Sequence, residues 1–383
     1  MEGTHGFFER RTHPVVARVF IYLDEVCRGA GEVVFMNNPV SGLVILAALF
    51  TFDRRCALHG LLGLLVSTGT AKMLRAGGHK GYDAVIMGLF GFNGLLVGLG
   101  IATFTEDEPK SNIVQAAAVL IFSILCPIVQ KSVTRWLHPL PCFTLPFNIC
   151  AIWFLGGAHS YNRFNSALGP VLLAASDGPT GYCIHDVAST SCESAWDYVQ
   201  GFLVASIHGV CQIYLAQSVL SGSLILVGMS ICSPPCMALT AIGSAVGCAT
   251  ALLVGGDVTS IYQGLWGFNP ALTCCAIGGG IFGARGLSQL WWAVFGAVVT
   301  VFLQHALAGL LAPGGVVTFT APFCIASLFL LGAGLVPPAA APDDELAEND
   351  DLRTSSQGEK APMPTTTVTH ASPLRVYPQM QLV

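Results

Sequence analysis

Four oxygen-bearing side chains stand among apolar neighbours in the sequence: Glu32, Thr144, Gln212 and Thr320. A carboxyl, a carboxamide and two hydroxyls all offer acceptor oxygens. In surroundings that exclude water such groups have two uses. They can satisfy the protein itself, a threonine bonding to its own helix backbone and a glutamine joining neighbouring helices. They can also take over the hydrogen bonds of a polar solute that has left water, because an unpaired polar group in an apolar medium costs several kcal/mol.

Their spacing favours the second use. Thr144-Leu145-Pro146-Phe147 matches Thr320-Ala321-Pro322-Phe323 at an offset of 176, and Gly88-Leu89-Phe90-Gly91-Phe92-Asn93 matches Gly264-Leu265-Trp266-Gly267-Phe268-Asn269 at the same offset. Glu32-Val33-Val34-Phe35 matches Gln212-Ile213-Tyr214-Leu215 at an offset of 180, and Ser41-Gly42 and Ser221-Gly222 follow. Three matches in one order define an internal repeat. The first copy carries four extra residues before residue 88.

The elements that position these residues belong in a membrane. Of 383 residues 53% are hydrophobic and only 10% are charged, with a mean hydropathy of +0.65. A soluble domain carries roughly a quarter charged residues. Apolar runs near 39–52, 56–72, 82–104, 112–130 and 139–157, then 217–232, 235–254, 261–282, 289–311 and 315–336, read as ten crossings. The segments near 14–36 and 201–216 are more mixed and read as half-helices that enter the membrane and turn back. Irregular backbone at that depth survives only when buried in protein or lining a wet path. The expected fold is therefore an all-α integral membrane protein: two five-helix repeats plus re-entrant half-helices surrounding a pore. Five crossings per half is an odd number, so the halves should be inverted relative to one another. Inverted repeats place a transport site at their interface, and an ionisable group within the membrane is a functional candidate by default.

The chain divides into a first membrane repeat with a short N-terminus (1–170), a linker loop (171–200), a second repeat (201–336) and a tail (337–383). The tail is rich in Pro, Ala, acidic and hydroxyl residues, a composition that cannot bury a core. Placing both termini in the cytoplasm puts Arg10, Arg11, Arg18, Arg28, Lys72, Arg75, Lys80, Lys131, Arg135 and Arg285 inside, as the positive-inside bias asks. Glu106-Asp107-Glu108 and the loop over 158–200 then lie outside, while Arg54 and Arg55 disagree. Met1–Pro14 is polar, and no apolar run with a cleavage site follows it, so no removed leader is expected.

Other chemistries lack their motifs. A net charge of −5 gives no basic footprint for nucleic acid. Most of the 14 cysteines sit in apolar runs as small fillers. No paired CxxC has zinc spacing, so no metal or cofactor is expected. Cys183 and Cys192 flank a polar loop, where a disulfide could form if the loop is extracellular. No HExxH or GxSxG motif suggests an enzyme. Asn269-Pro270-Ala271 spells the tripeptide of aquaporins, but the equivalent site in the first copy is Asn93-Gly94-Leu95.

Leu140-Pro141-Cys142-Phe143-Thr144-Leu145-Pro146-Phe147 has the form LPxxTxPF and resembles the signature of the urea transporter family. The second copy, Val316-Val317-Thr318-Phe319-Thr320-Ala321-Pro322-Phe323, keeps Thr, Pro and Phe but has Val-Val where Leu-Pro is usual. Glu32–Gly42, with Asn37-Asn38-Pro39, and both GFN segments are also similar to that family, and the resemblance runs from about residue 10 to residue 336. It implies a homotrimer in the plasma membrane, each subunit with its own narrow pore for urea. It also implies two oxygen ladders between slots of flat side chains. Carried over by position, Thr144 and Thr320 are the ladder threonines, Glu32 and Gln212 stand beside them, and Phe35, Phe92 and Phe268, with Leu96 and Leu272, form the slots. The competing readings are an ammonium or ion-coupled small-solute transporter, for which Glu32 could serve a cation, and an aquaporin-like channel.

Overall fold

A computed structural model describes residues 14–74, 84–105, 109–158, 195–280 and 287–335. The tail 337–383, Glu106-Asp107-Glu108 and the Cys183/Cys192 pair lie outside the described residues, as does most of the linker loop. The described residues are helical or connect helices, with no β-strand among them.

The first half contains α1 (Pro14–Glu32), α2 (Pro39–Phe52), α3 (Arg54–Met73), α4 (Gly91–Thr103), α5 (Pro109–Leu137) and α6 (Leu145–Ala158). The second contains α7 (Ala195–Gln212), α8 (Val219–Cys232), α9 (Pro234–Leu253), the short α10 (Val258–Tyr262), α11 (Phe268–Cys275), α12 (Leu287–Leu311) and α13 (Ala321–Gly332). A π-helical stretch, Ala276–Gly280, follows α11 and kinks at Gly279 (φ +139°), where the backbone is not helical.

Among these helices, Ile113–Leu137 within α5, α9 and α12 are both long and apolar enough to cross a membrane. The segments α2, α4, α6, α8 and α13 are apolar but short. At 1.5 Å per residue the 14 residues of α2 reach about 21 Å, against a hydrocarbon core about 30 Å thick. The segments near 14–36 and 201–216, read as half-helices, contain α1 and α7. Helices α1 and α7 have 19 and 18 residues, longer than the apolar segments beside them. Their polar residues depress the hydropathy of the window, yet several are neutralised in place. Lys72 of α3 reaches Glu25 of α1 at 2.7 Å, and Asp24 holds Arg28 at 2.6 Å one turn along.

The short helices begin where the sequence supplies caps. Asn38 Oδ1 accepts from the backbone N–H groups of Val40 and Ser41 (2.8 and 3.2 Å), with Pro39 in the first turn of α2. Ser218 caps α8 in the same way at Ser221 N. Such side chains satisfy the orphan donors of a helix start. Before α4 and α11 the chain turns through Gly88 (φ +79°) and Gly264 (φ +82°), a left-handed conformation that costs glycine little. A Cβ on Gly88 would stand 2.3 Å from the Gly29 nitrogen, so α1 could not approach so closely.

The two halves interlock. Thr51 of α2 and Ser221 of α8 share a 3.1 Å hydroxyl contact, and Tyr214 donates across to the Ala30 carbonyl at 2.9 Å. The largest apolar core draws on α1 to α6 and on α7 to α9 and α11 to α13 alike, with Met36, Leu95, Phe147, Tyr214 and Phe323 almost fully buried.

Candidate functional site

Two cavities of about 480 and 500 Å³ meet the repeat residues. Glu32, Phe35, Phe92, Phe143, Thr144 and Phe323 line the first. Gln212, Leu215, Phe268, Phe319, Thr320 and Phe147 line the second. Seven of the nine residues expected at the site therefore border one cavity or the other. Leu96 and Leu272 do not: both are buried in the apolar core and line neither cavity.

Between the cavities the two threonines touch. Thr144 Oγ1 and Thr320 Oγ1 lie 2.6 Å apart, within hydrogen-bond distance. Thr144 Oγ1 is also 3.2 Å from Cys324 Sγ. Asn148 stands beside the pair. Its Nδ2 donates to Thr320 Oγ1 at 3.0 Å and to the Thr144 carbonyl at 2.8 Å, and its Oδ1 accepts from the Thr320 backbone N–H at 3.1 Å. Both threonines are about 3% exposed.

Each threonine follows a residue held in the left-handed region, Phe143 (φ +48°) and Phe319 (φ +45°). A bulky residue there is strained and needs outside support. Two buried amide clamps provide it. Asn93 Nδ2 donates to Gln130 Oε1 (3.0 Å) and to the Phe143 carbonyl (3.4 Å), while Gln130 Nε2 donates to the Leu89 carbonyl. In the second half Asn269 Nδ2 donates to Gln304 Oε1 (2.9 Å) and the Phe319 carbonyl (3.0 Å), and Gln304 Nε2 donates to the Leu265 carbonyl. Asn269 thus spends its amide N–H groups inside the protein and lines neither cavity. Phe35 (φ +63°) and Leu215 (φ +55°) share the same left-handed backbone on the opposite walls.

Aromatic rings gather at each side of the threonine contact. Phe143 and Phe323 pack edge to face with centroids 4.9 Å apart, and Phe35 stands 6.4 and 6.2 Å from them. Phe319 packs against Phe147 at 5.2 Å and Phe104 at 5.4 Å. These are the separations of attractive aromatic pairs, so the walls are stiff as well as apolar.

Glu32 and Gln212 occupy matching places but different networks. Asn37 Nδ2 donates to Glu32 Oε1 at 2.7 Å and to the Met87 carbonyl at 2.9 Å, while Arg28 Nη1 donates to Asn37 Oδ1 at 2.6 Å. Gln212 Nε2 donates directly to the Gln263 carbonyl at 3.0 Å.

Sequence reasoning missed Asn148, the two clamps and the strained phenylalanines. Asn93 and Asn269 were visible in the GFN repeat, although not their bonding. Gln130 and Gln304 were hidden because they do not share the offset of 176. Asn148 was hidden because its counterpart is Cys324, a residue of different chemistry.

Comparison with known proteins places the chain. The family described as Urea transporter matches residues 23–334. The chain is 34% identical to Urea transporter 1 of Capra hircus over 315 residues, covering 81% of this chain and 76% of the relative. It is 32% identical to Urea transporter 1 of Rattus norvegicus over 322 residues, covering 83% and 78%.

Proposed function

Because this chain belongs to the urea transporter family, we propose that it moves urea across a membrane passively, down its gradient, as a channel and not as an enzyme. The path runs from one cavity to the other between Thr144 and Thr320, within a single subunit. The two halves are inverted repeats around that path. Three subunits assemble in the plasma membrane, with both termini in the cytoplasm.

The observation that carries this reading is the meeting of two aromatic-walled cavities at a pair of hydroxyls. Urea is flat and neutral, with four N–H donors and one carbonyl. Stripped of water, it needs acceptors at each step. Threonine oxygens supply them at the centre, and Glu32 and Gln212 supply them nearer the cavities. Facing rings admit a flat solute and oppose hydrated ions. Conduction requires contacts strong enough to enter and weak enough to leave, which single hydroxyls satisfy and a charged cage would not.

Ion coupling has less support. The carboxylate of Glu32 is already linked through Asn37 to Arg28, a cation of the protein itself. The deciding experiment is urea entry into sealed vesicles containing the purified protein, with and without sodium and proton gradients. Rapid entry that ignores both gradients supports the channel. Entry that stops when a gradient collapses refutes it.

A further inference from the structure

We infer that Asn148 is a positioning residue of the passage: it fixes the hydroxyl of Thr320 as the stationary half of the central pair and leaves Thr144 as the half that moves aside. The inference rests on the transport reading above. It begins from the direction of the bonds. The Thr320 backbone N–H can only donate and the Thr144 carbonyl can only accept, so together they orient the Asn148 amide without ambiguity. Nδ2 then faces Thr320 Oγ1 as a donor. Thr320 accepts there, and its oxygen also lies 2.6 Å from Thr144 Oγ1, a contact in which either hydroxyl can donate. Thr144 Oγ1 in turn lies 3.2 Å from Cys324 Sγ, again with either group as donor, and the thiol sits 3.9 Å from Asn148 Nδ2. Among the contacts of the two hydroxyls, the one whose direction is fixed is the bond from the Asn148 amide to the Thr320 hydroxyl.

The arrangement is lopsided. Thr320 is gripped at its backbone and its hydroxyl by the same side chain. Thr144 is held at its hydroxyl only by Thr320 and by a thiol, a weak partner whether it donates or accepts. In the repeat, Cys324 occupies the place of Asn148, and a thiol cannot offer two N–H donors. The oxygens at 2.6 Å leave no room for a solute between them, so passage requires that they part. The hydroxyl with the weaker hold parts first. A fixed Thr320 then limits how far the gap opens, and this restricts solutes wider than urea.

The test compares urea with N-methylurea in vesicles. In Asn148→Cys, which installs the residue already present at the equivalent position, the urea to N-methylurea permeability ratio should fall about three- to tenfold, as expected for the loss of one ordering hydrogen bond. The exchange Asn148→Cys with Cys324→Asn should recover the ratio, because the amide then grips Thr144 from the other half. Asn148→Asp, which keeps the shape and the acceptor but lacks both N–H donors, should also lower the ratio. A wild-type ratio in both single variants overturns the proposal. So does a fallen ratio that the exchange fails to recover in folded protein, since that marks a merely structural residue. If neither single variant yields folded protein, Asn148 holds the fold and not the hydroxyls, and the proposal fails. Wild-type vesicles without urea flux would instead strike the transport reading.

Discussion

Replacing one hydroxyl of the central pair by a methyl group separates an acceptor role from a packing role. Thr144→Val and Thr320→Val keep a β-branched side chain of nearly the same volume at sites about 3% exposed. Two opposing effects follow. The closing bond between the oxygens disappears, and its net worth is about 0.5–1.5 kcal/mol, which favours opening. A urea N–H that reaches the methyl group then lacks an acceptor, and a buried unpaired donor costs about 1–3 kcal/mol. The second effect is the larger by about 1 kcal/mol at the centre of both ranges, so each variant should conduct urea about fivefold more slowly. Thr144→Ser and Thr320→Ser restore the oxygen and should restore the rate.

The two valine variants should differ in stability. Thr144→Val leaves Thr320 with its bonds to Asn148. Thr320→Val takes one partner from Asn148 Nδ2, which retains the Thr144 carbonyl. The Thr320 variant should therefore lose about 1 kcal/mol more of folding stability. Stopped-flow scattering from vesicles under an inward urea gradient reads the rate, and thermal unfolding in detergent reads the stability. Wild-type urea rates in both valine variants would refute the assignment of these hydroxyls to the path.

Further outcomes follow from the same geometry. Wild-type urea flux should be unchanged when sodium, proton or voltage gradients are removed, as measured in the same vesicles with ionophores. Glu32→Gln should conduct nearly normally because its oxygen still accepts from Asn37, whereas Glu32→Ala, which removes that acceptor, should conduct poorly. If Glu32→Gln abolishes flux at every pH, a charged role at this position is the better account. Gly42→Ala should destabilise the protein by about 1–3 kcal/mol or prevent its accumulation, since a Cβ there would stand 1.6 Å from the Cys27 carbonyl oxygen and force α2 away from α1. Unchanged melting of Gly42→Ala in detergent would show that the helices have room to move.

Much of the helical frame was legible because a membrane leaves few alternatives for an apolar run. The helix ends were less so. A hydropathy window cannot tell a paired charge from an unpaired one, such as Glu25 of α1 held by Lys72. Nor can it tell a helix from the irregular turn before it. The runs from 139 and 315 are largely apolar, yet their helices begin only at Leu145 and Ala321. The threonines were legible because the repeat places a hydroxyl before Pro-Phe twice. Their supports were not. Asn148 has no amide at its matching position, and the glutamines of the clamps have drifted from the common offset. Symmetry in sequence thus marks the residues at the centre more readily than those that hold them.

The difference between Glu32 and Gln212 is best understood by following the carbonyl beside each. Met87 and Gln263 are equivalent positions in the repeat, and each offers a carbonyl oxygen to the site. In the second half Gln212 meets that oxygen with its own amide. In the first half Asn37 performs the task, and Glu32 is spared it. The same Asn37 amide also donates to Glu32. Two different side chains therefore reach a common condition. One N–H of Gln212 is committed to the Gln263 carbonyl, and its oxygen can only accept. Glu32 has Asn37 as a donor on one oxygen, and its other oxygen is an acceptor unless it carries a proton. A carboxyl group in one half need not imply a charged passenger, because Glu32 with Asn37 and Arg28 occupies the place that Gln212 fills alone. Each half thus presents a side-chain oxygen beside an amide engaged with a backbone carbonyl, and under the proposed function that oxygen is what a solute rich in N–H groups requires.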